Sequence, residues 1–304
     1  MQDPTPDLVI AELHHRGVPV VQFDAGDLSA TLSRTARAGA VSAGRRGSPR
    51  TPTRPARPGP IRALYCRRPA ASAFPHLDSQ DASVAAAQVR RGPGGVPASL
   101  PGCLYVNHPH RIGDAEYKPA ALAAAAACGF RLPPTVITNE PDRVRAFVRA
   151  HGPVTHQLIS VPTHPTVPVA AVAAGEVDRS PSGTTHLFQQ RIDKVADVRV
   201  TVIGDRIFAV RIDSGLPDWR TDHSTHTYAA IPVPDPLVRA ILAYLRHFGL
   251  VFGAFDFALT GPAHAADSWV WIECHPSGQW SWLEPPTGLP MTSALADLLE
   301  RGTP

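Results

Sequence analysis

Two pairs of short apolar segments near the carboxyl end constrain the fold of this chain most strongly. Val198–Ile203 and Arg206–Ile212 flank Gly204-Asp205 with alternating side chains, which predicts a tight β-hairpin. Gly253–Leu259 and Trp269–Cys274 predict a second pair of strands, joined by a nine-residue loop. Between the two pairs, Leu237–Phe248 has the apolar spacing of an amphipathic helix. The last third of the chain is therefore predicted to combine two hairpins with one helix.

The earlier sections predict alternating helices and strands, which is typical of an α/β layer over roughly residues 1–110. A helix is expected over residues 5–17, with Thr5 as its cap and Gly17 at its end. Strands are expected at three later segments, namely Val18–Phe23, Arg62–Cys66 and Leu104–Val106.

A second section begins near Asp114 with a helical segment up to Cys128, in which Pro119 marks the best start. The rest of this section predicts the strand Leu132–Ile137, the helix Pro141–Ala150 capped by Asn139 or Glu140, and the strand Gly152–Ile159. Residues 160–184 carry few structural signals.

Composition excludes several classes of protein. The 304 residues suffice for two or three packed subdomains, and no apolar run is long enough to span a bilayer. Four cysteines without CxxC spacing argue against a zinc ribbon or a disulfide framework and favour the cytoplasm. A net charge of only +3 argues that the whole chain is not a polyanion binder.

Residues 41–60 stand out because they hold five arginines, five prolines and no acidic residue. Such a segment cannot build a core and is predicted to be a flexible basic loop. It could grip an acidic peptide or nucleic acid, or it could be a solvated linker. The nucleic-acid hypothesis depends on this loop alone, because interleaved aromatic residues and a recognisable module are missing.

Asp256 and Glu273 are the candidate metal ligands. If the second pair of strands is symmetrical about its loop, these carboxylates lie opposite each other and share a face with His275. Two adjacent carboxylates repel unless a cation lies between them, and Mg²⁺ prefers oxygen ligands. The alternative is an exposed hairpin face whose acids are simply solvated.

Several cationic residues could bind phosphate. Arg199 and Arg211 lie on the first hairpin, and the planar guanidinium suits phosphate binding. Lys118 and Lys194 are two of very few lysines in an arginine-rich chain. Each of these residues could equally be ordinary surface charge.

In combination these segments resemble the ATP-grasp ligases that mature ribosomally made peptides, the graspetide maturases. The resemblance is carried by HLFQQRIDKVADVRVTVIGDRIFAVRIDS, GLVFGAFDFAL and WIECHPSGQWSWLE, and it extends back through DAEYKP, VNHP and YCRRP. It covers most of the chain apart from residues 35–60 and 160–184.

The resemblance implies an ATP-grasp fold of α/β and α+β type, with an N-terminal Rossmann-like pre-ATP-grasp domain. The implied domains are residues 1–113, a small lobe at 114–188 and a C-terminal lobe with the metal site at 189–304. It also implies a reaction in which ATP and Mg²⁺ activate side-chain carboxylates of a precursor peptide as acyl phosphates. Ser, Thr or Lys side chains of that peptide then close ester or amide rings. A homodimer is compatible with the family.

The resemblance also implies site residues, because positions of the family's site match positions of this sequence. Asp256 and Glu273, with His275, match the metal ligands, and Arg199 matches a phosphate-contacting arginine with Arg211 near it. The nucleotide positions match Lys118, His156, Lys194 and the adenine hinge Gln189, Gln190, Arg191 and Ile192.

Three positions depart from the family pattern. His156 replaces a phosphate-binding lysine, Gln190 replaces a hinge glutamate, and His275 replaces an asparagine after the metal glutamate. A neutral His156 supplies less charge than lysine, and Mg²⁺ accepts imidazole reluctantly. The glycine-rich flap expected near 160–175 is not recognisable. These departures leave three hypotheses: an active peptide ligase, a degenerate relative that binds peptide or nucleotide with little turnover, or a ligase for a small acid.

The start of the chain and the spacing of its histidines are two further features of the sequence. Met1 falls just before DPTPDLVIAEL, where the family has a preceding strand, so a misassigned start, a truncation or a missing central strand is expected. His223-x-x-His226 and His108-Pro109-His110 could suggest a metal hydrolase, but neither comes with a third ligand or an HExxH context.

Overall fold

The computed structural model describes residues 4–23, 33–35, 48–51, 54–55, 61–67, 72–92, 95–157, 159, 170–177, 180–214 and 226–303. All structural statements below concern these residues. Most of the predicted basic loop at 41–60, residues 160–169 of the region of the expected flap, and His223 lie outside them.

The carboxyl-terminal part is built on a five-stranded antiparallel sheet in the order β12-β11-β10-β13-β14. Its strands are β10 (Ala196–Ile203), β11 (Arg206–Asp213), β12 (Thr227–Ile231), β13 (Phe252–Leu259) and β14 (Trp269–His275). Gly204 has φ +62°, which the tight turn between β10 and β11 requires and which glycine adopts without steric cost. Both predicted hairpins are therefore confirmed, and β10 and β13 join them into one sheet.

Helices cover both faces of this sheet. On one face, α6 (Asp235–Phe248) and α4 (Lys118–Ala127) enclose a core that includes Val200, Phe255 and Trp271. On the other face, α8 (Met291–Arg301) and α1 (Thr5–His15) bury Val210, Ala254 and Trp280. Alternating apolar side chains of the strands thus point into two separate cores.

A second, smaller sheet has the order β6-β9-β7-β8. Its strands are β6 (Thr135–Thr138), β7 (Val154–Gln157), β8 (Ala170–Val172) and β9 (His186–Gln190). Helix α5 (Pro141–His151) packs Val144 and Val148 against Val154 and Phe188 of this sheet. The predicted strands and helix of this section are thus present; the two strands are shorter than predicted, and the helix ends one residue later.

The amino-terminal section contains a parallel pair, β4 (Ala63–Tyr65) and β5 (Leu104–Val106), with α2 (Ser79–Arg91) between them in the chain. This arrangement agrees with the predicted α/β layer, although a larger parallel sheet is not found in the described ranges. α3 (Pro109–Glu116) follows β5, and Tyr117 separates it from α4. The short α7 (Glu284–Thr287) precedes α8.

Three predicted features of this section are corrected. Val18–Phe23 forms no strand; Val18 and Val20 pack against the core beside α8, and the segment has no strand partner among the described residues. Thr5 does not cap α1, since it is buried and donates a hydrogen bond to Ser281 Oγ at 3.0 Å. Within 41–60, Ser48–Thr51 (β2) and Arg54–Pro55 (β3) form strands that follow β1 (Ser33–Thr35) in a small antiparallel sheet, so this part is not wholly a loop.

Packing contacts and one strand span the expected domain boundaries. β9 belongs entirely to the small sheet, so a boundary between residues 188 and 189 would divide a strand. Residues of α3 and α4, assigned to the small lobe, bury Ala115, Ala121 and Ala125 in the core of the large sheet. None of the helices in the described ranges is long and apolar enough to cross a membrane.

Candidate functional site

Asp256 and Glu273 lie directly opposite each other on β13 and β14, as the symmetrical pairing predicted. His275 shares their face of the sheet, because it pairs with Ala254 two residues away from Asp256. Ligand atoms of these three side chains lie within 4.8 Å of one another. In the described part of the chain they form the one cluster of three or more groups that could hold a metal ion.

His275 bridges the two carboxylates through one ring nitrogen. Its Nε2 lies 3.2 Å from Glu273 Oε1 and 3.4 Å from Asp256 Oδ2. Desolvation by burial lowers the pKa of His275, but attraction to Glu273 and Asp256 outweighs it and raises the pKa to about 9. Without a metal ion, the imidazolium form therefore neutralises part of the charge of the two acids.

Arg199 holds Asp256 in a buried two-point ion pair. Arg199 Nε donates to Asp256 Oδ1 at 2.6 Å, and Nη2 donates to Oδ2 at 3.2 Å. Burial raises the pKa of Asp256, yet the charges of Arg199 and His275 dominate and the pKa lies below its ordinary value. Asp256 is therefore ionised, fixed in orientation by Arg199, and turned toward Glu273 and His275.

Lys118 approaches the same cluster from the first turn of α4. Its Nζ lies 3.4 Å from Glu273 Oε2, the oxygen that His275 does not contact. Three cationic groups thus surround two carboxylates. Lys118, which was predicted to bind the nucleotide, thus lies beside one of the two predicted metal carboxylates.

The loop after β14 is fixed by two arginine side chains from distant parts of the chain. Arg67 donates to the carbonyl oxygens of Ser277 and Gly278 at 2.5 and 2.9 Å, and Arg199 donates to Gln279 O at 3.1 Å. Gly278 permits this close approach, since a Cβ there would lie 2.6 Å from the Cβ of Ala254. The segment that follows the three-residue cluster is therefore locked to the sheet beneath it.

Asn107 is a residue to which sequence reasoning assigned no role. Its amide nitrogen donates to Phe252 O and Pro276 O, and its Oδ1 accepts from the backbone amides of Val251 and Phe252. It is 1% exposed, so one buried side chain joins the end of β5 to the start of β13 and the loop after β14. Its place in the VNHP motif, like that of Arg67 in YCRRP, was the available signal.

Arg211 does not lie near Arg199, and this prediction is corrected. The turn at Gly204-Asp205 sets a register in which Arg199 pairs with Val210, while Arg211 pairs with Val198. Consecutive residues of a strand point to opposite faces, so Arg211 lies on the other face from the cluster. There it forms a two-point ion pair with Asp213, with N–O distances of 2.7–3.1 Å.

The predicted adenine-hinge residues end the small sheet. Gln189 is buried, donates to Thr135 Oγ1 and accepts from Gln157 Nε2. Gln190 Nε2 donates to His151 O at the end of α5, and the backbone amides of Gln190 and Arg191 donate to Pro134 O and Pro153 O. Arg191 is exposed and Ile192 is half-buried just beyond the strand.

His156 lies on the α5 face of the small sheet. It pairs with Phe188, which is in the core under α5, and its Nε2 lies 2.9 Å from His186 Nδ1. Burial and the neighbouring His186 lower its pKa, so the neutral form is favoured as predicted. The replacement of a cationic lysine by His156 therefore removes a positive charge from this position.

Lys194 follows the small sheet and is engaged by an acid of β10. Its Nζ lies 2.6 and 2.8 Å from the two carboxylate oxygens of Asp197. Asp197 and Arg199 are two residues apart on β10 and therefore lie on the same face of the large sheet. Lys194 is thus placed on the side of the sheet that carries the cluster.

A groove of about 660 Å³ lies elsewhere, lined among others by Tyr105, His108, His110, Arg111 and Gly249. None of the predicted site residues lines it. Since it lacks the paired carboxylates, the charged cluster is the better candidate site.

Comparison with solved structures identifies the architecture. The macrocyclase MdnC, bound with the precursor peptide MdnA from Microcystis aeruginosa MRC, matches with a TM-score of 0.86 over 99% of this chain and 96% of that chain, at 21% identity. This chain has the ATP-grasp fold. A Chryseobacterium gregarium RiPP-associated ATP-grasp ligase, in complex with ADP and a leader and core peptide, also matches with a TM-score of 0.86, at 21% identity, over 100% and 95% of the two chains.

A broader ATP-grasp relative is less similar. The RimK domain protein ATP-grasp from Sphaerobacter thermophilus DSM 20745 matches with a TM-score of 0.56 at 18% identity, over 98% and 96% of the two chains. No protein-family model matches the sequence, and no curated protein is significantly similar to it. The ATP-grasp fold is thus shown by structural similarity over the length of the chain.

The donor atoms of the cluster fit a divalent cation. Each carboxylate directs one oxygen toward His275 Nε2, and a carboxylate oxygen has two acceptor positions. Asp256 Oδ2 can therefore bind a cation while it keeps its bond to Arg199. Asp256, Glu273 and His275 are the residues that would hold the ion.

Proposed function

We propose that this protein is an ATP-dependent, ADP-forming ligase that crosslinks side chains of a ribosomally made precursor peptide. The observation that carries the proposal is the match of the whole chain, with a TM-score of 0.86, to two ATP-grasp proteins that were solved with peptides of this kind. The RimK domain protein ATP-grasp matches less well, with a TM-score of 0.56.

The proposed reaction has two steps. A side-chain carboxylate of the peptide attacks the γ-phosphorus of ATP, which releases ADP and leaves an acyl phosphate on the peptide. A hydroxyl or amine of a Ser, Thr or Lys side chain then attacks the acyl carbon, releases phosphate and gives up its proton. The product contains an ester or amide ring and has lost one water relative to the starting peptide.

The charged cluster supports this proposal through electrostatics. Phosphoryl transfer depends mainly on positioning and on cations beside the transferred group. A divalent cation, Mg²⁺ in the neighbouring ligase PsnB solved with ADP, would supply that charge beside the phosphates. In this chain Asp256 and Glu273 would bind the ion, Arg199 orients Asp256, and Lys118 adds positive charge at Glu273.

The nucleotide is proposed to lie between the small sheet and the cluster. Gln189, Gln190, Arg191 and Ile192 end the small sheet, and Lys194 follows them directly on the way to β10. This order supports the proposal that one short segment would contact both the adenine and a phosphate. His156 would contact the nucleotide only after its side chain turned away from the α5 face.

Two features favour a second candidate, a relative that binds nucleotide or peptide with little turnover. Arg199 is committed to Asp256, and the position of a phosphate-binding lysine is a histidine on the α5 face of the small sheet. Both features reduce the positive charge available to phosphate. The two candidates differ in turnover, not in binding.

Thermal unfolding with ATP and Mg²⁺ tests the binding that both candidates share. At a nucleotide concentration of about 100 times Kd, we expect about 2.7 kcal/mol of stabilisation by mass action. Glu273→Gln should abolish the dependence on Mg²⁺, whereas Glu140→Gln, on an exposed helix start, should leave it unchanged. The absence of any ATP-linked stabilisation would exclude the ligase and leave only a relative that binds peptide.

Incubation with a short peptide encoded next to the gene, rich in Asp, Glu, Ser, Thr and Lys, then separates the two. The ligase predicts phosphate release and the loss of one water mass per crosslink, measured by mass spectrometry. Nucleotide binding without either signal would support the second candidate. Light scattering of the purified protein would show whether it forms the homodimer that the family resemblance allows.

A further inference from the structure

We propose that His275 makes the carboxylate cluster selective for a first-row transition ion such as Mn²⁺ over Mg²⁺. This inference rests on the proposed function, because it assigns the identity of the ion at the same site. It concerns selectivity, which can be measured without nucleotide, peptide or turnover.

The geometry places a nitrogen at a ligand position. His275 Nε2 lies 3.2 Å from Glu273 Oε1 and 3.4 Å from Asp256 Oδ2, and the three ligand atoms lie within 4.8 Å of one another. The two carboxylate oxygens that face the imidazole are the same ones that would face an ion. The donor set is therefore two oxygens and one nitrogen, not oxygen alone.

The surroundings hold this donor set in place. Arg199 fixes Asp256 through two hydrogen bonds, and Lys118 lies beside the oxygen of Glu273 that points away from His275. A Cβ at Gly278 would lie 3.0 Å from the Cβ of His275, so the following loop closes tightly against this residue. The two carboxylates are thereby held beside the His275 imidazole.

The chemistry of the donor atoms then determines which ion binds more tightly. Mg²⁺ demands near-octahedral oxygen coordination and keeps its waters, so an imidazole contributes little to its binding. Transition ions accept imidazole nitrogen, and affinities at mixed nitrogen and oxygen sites rise from Mn²⁺ along the first row. His275 should therefore increase the affinity for Mn²⁺ more than the affinity for Mg²⁺.

The test is Mn²⁺ binding to the metal-stripped full chain, followed by the EPR signal of free Mn²⁺, with Mg²⁺ as the competitor. For wild type, displacement of half the bound Mn²⁺ should need on the order of tenfold more Mg²⁺ than for His275→Asn, given the usual weight of one ligand-site change. His264→Asn is the matched control, since His264 is exposed on the loop of the same hairpin. It should behave as wild type.

A second readout does not depend on the variant's folding. Pulsed EPR of the wild-type protein with bound Mn²⁺ should show modulation from a directly coordinated imidazole nitrogen, and a folded His275→Asn protein should lack it. Absence of that modulation, equal competition in wild type and His275→Asn, or no Mn²⁺ binding at all would each overturn the inference. If the selectivity for Mn²⁺ depends on His275 but no crosslinking of peptide is found, the inference stands and the proposed function fails.

Discussion

The two arginine–aspartate pairs of the large sheet differ chiefly in burial. Side chains of Arg199 and Asp256 are 6% and 9% exposed, whereas those of Arg211 and Asp213 are 31% and 42% exposed. A buried charge that loses its partner stays desolvated, while an exposed one is solvated by water. The two pairs should therefore respond very differently to removal of the acid.

We expect Asp256→Asn to lower the free energy of unfolding by about 3–5 kcal/mol, because Arg199 is left buried without its counter-charge. The matched change Asp213→Asn on the same sheet should cost at most about 1 kcal/mol. Urea denaturation of both variants in the absence of metal ions measures the difference. Equal losses would show that burial does not set the strength of these pairs.

The lowered pKa of His156 has a definite consequence for stability against pH. In the folded protein His156 stays neutral at pH values where the unfolded chain, with an ordinary pKa of about 6.5, binds a proton. The contribution of neutral His156 to the free energy of unfolding is therefore fully present above the pKa of the unfolded chain. It is lost as the pH falls below that value. We expect the thermal midpoint of wild type to fall more between pH 7.5 and pH 5, values chosen to bracket about 6.5, than that of His156→Gln. A parallel decline in the two proteins would contradict the assignment.

At the residue scale, the sequence predicts the position of a side chain correctly where strand geometry alone determines that position. Symmetry of the second hairpin was sufficient to place Asp256 opposite Glu273. The same reasoning, applied to the turn at Gly204-Asp205, would have put Arg211 on the face away from Arg199. The ion pair of Arg199 with Asp256 could not be predicted, because it depends on β10 pairing with β13 across α6 in the chain.

Between elements, the loop after β14 is organised by side chains that come from far away in the sequence. The chain has two asparagines, and they occupy contrasting places. Asn107 is buried and makes four hydrogen bonds that join β5, β13 and this loop, while Asn139 is exposed at the end of β6. Residue type alone does not distinguish these two places.

We expect Asn107→Ala to destabilise the protein by about 3 kcal/mol or more, since several buried backbone groups lose their partner at about 1–3 kcal/mol each. Asn139→Ala should change stability by less than about 0.5 kcal/mol. Chemical denaturation gives both values. Hydrogen exchange should also show faster opening around residues 251–252 in the first variant only, and unchanged protection there would argue against the bridging role.

Predicted elements were correct where their pattern was strong and local. The tight hairpin and α6 follow from alternation, turn residues and helical spacing, all of which lie within a few residues. Val18–Phe23 has the β-branched composition of a strand but no strand partner among the described residues, so propensity alone misled. Elements that need a distant partner cannot be settled by local pattern.

At the scale of the whole molecule, the described amino-terminal section and the carboxyl-terminal lobe share one core. Val9 and Leu13 of α1 are buried in the same cluster as Leu295 and Leu298 of α8. Arg16, at the end of α1, forms ion pairs with Asp297 and Glu300 of α8. The boundary expected near residue 113 comes from the family resemblance, and local sequence patterns do not reveal contacts such as Arg16 with Asp297, whose positions differ by 281.

This shared core predicts cooperative unfolding of α1 with the large sheet. We expect Leu13→Ala to lower stability by about 2–5 kcal/mol, as for a truncated buried leucine, and to shift the single denaturation transition of the large sheet. Leu8→Ala, on the exposed side of the same helix at 42% exposure, should have an effect below about 1 kcal/mol. Tryptophan fluorescence reports the transition directly, because Trp280 is fully buried in this core. If α1 were instead part of an independent domain, Leu13→Ala would leave the fluorescence transition in place and create a second, earlier transition in circular dichroism.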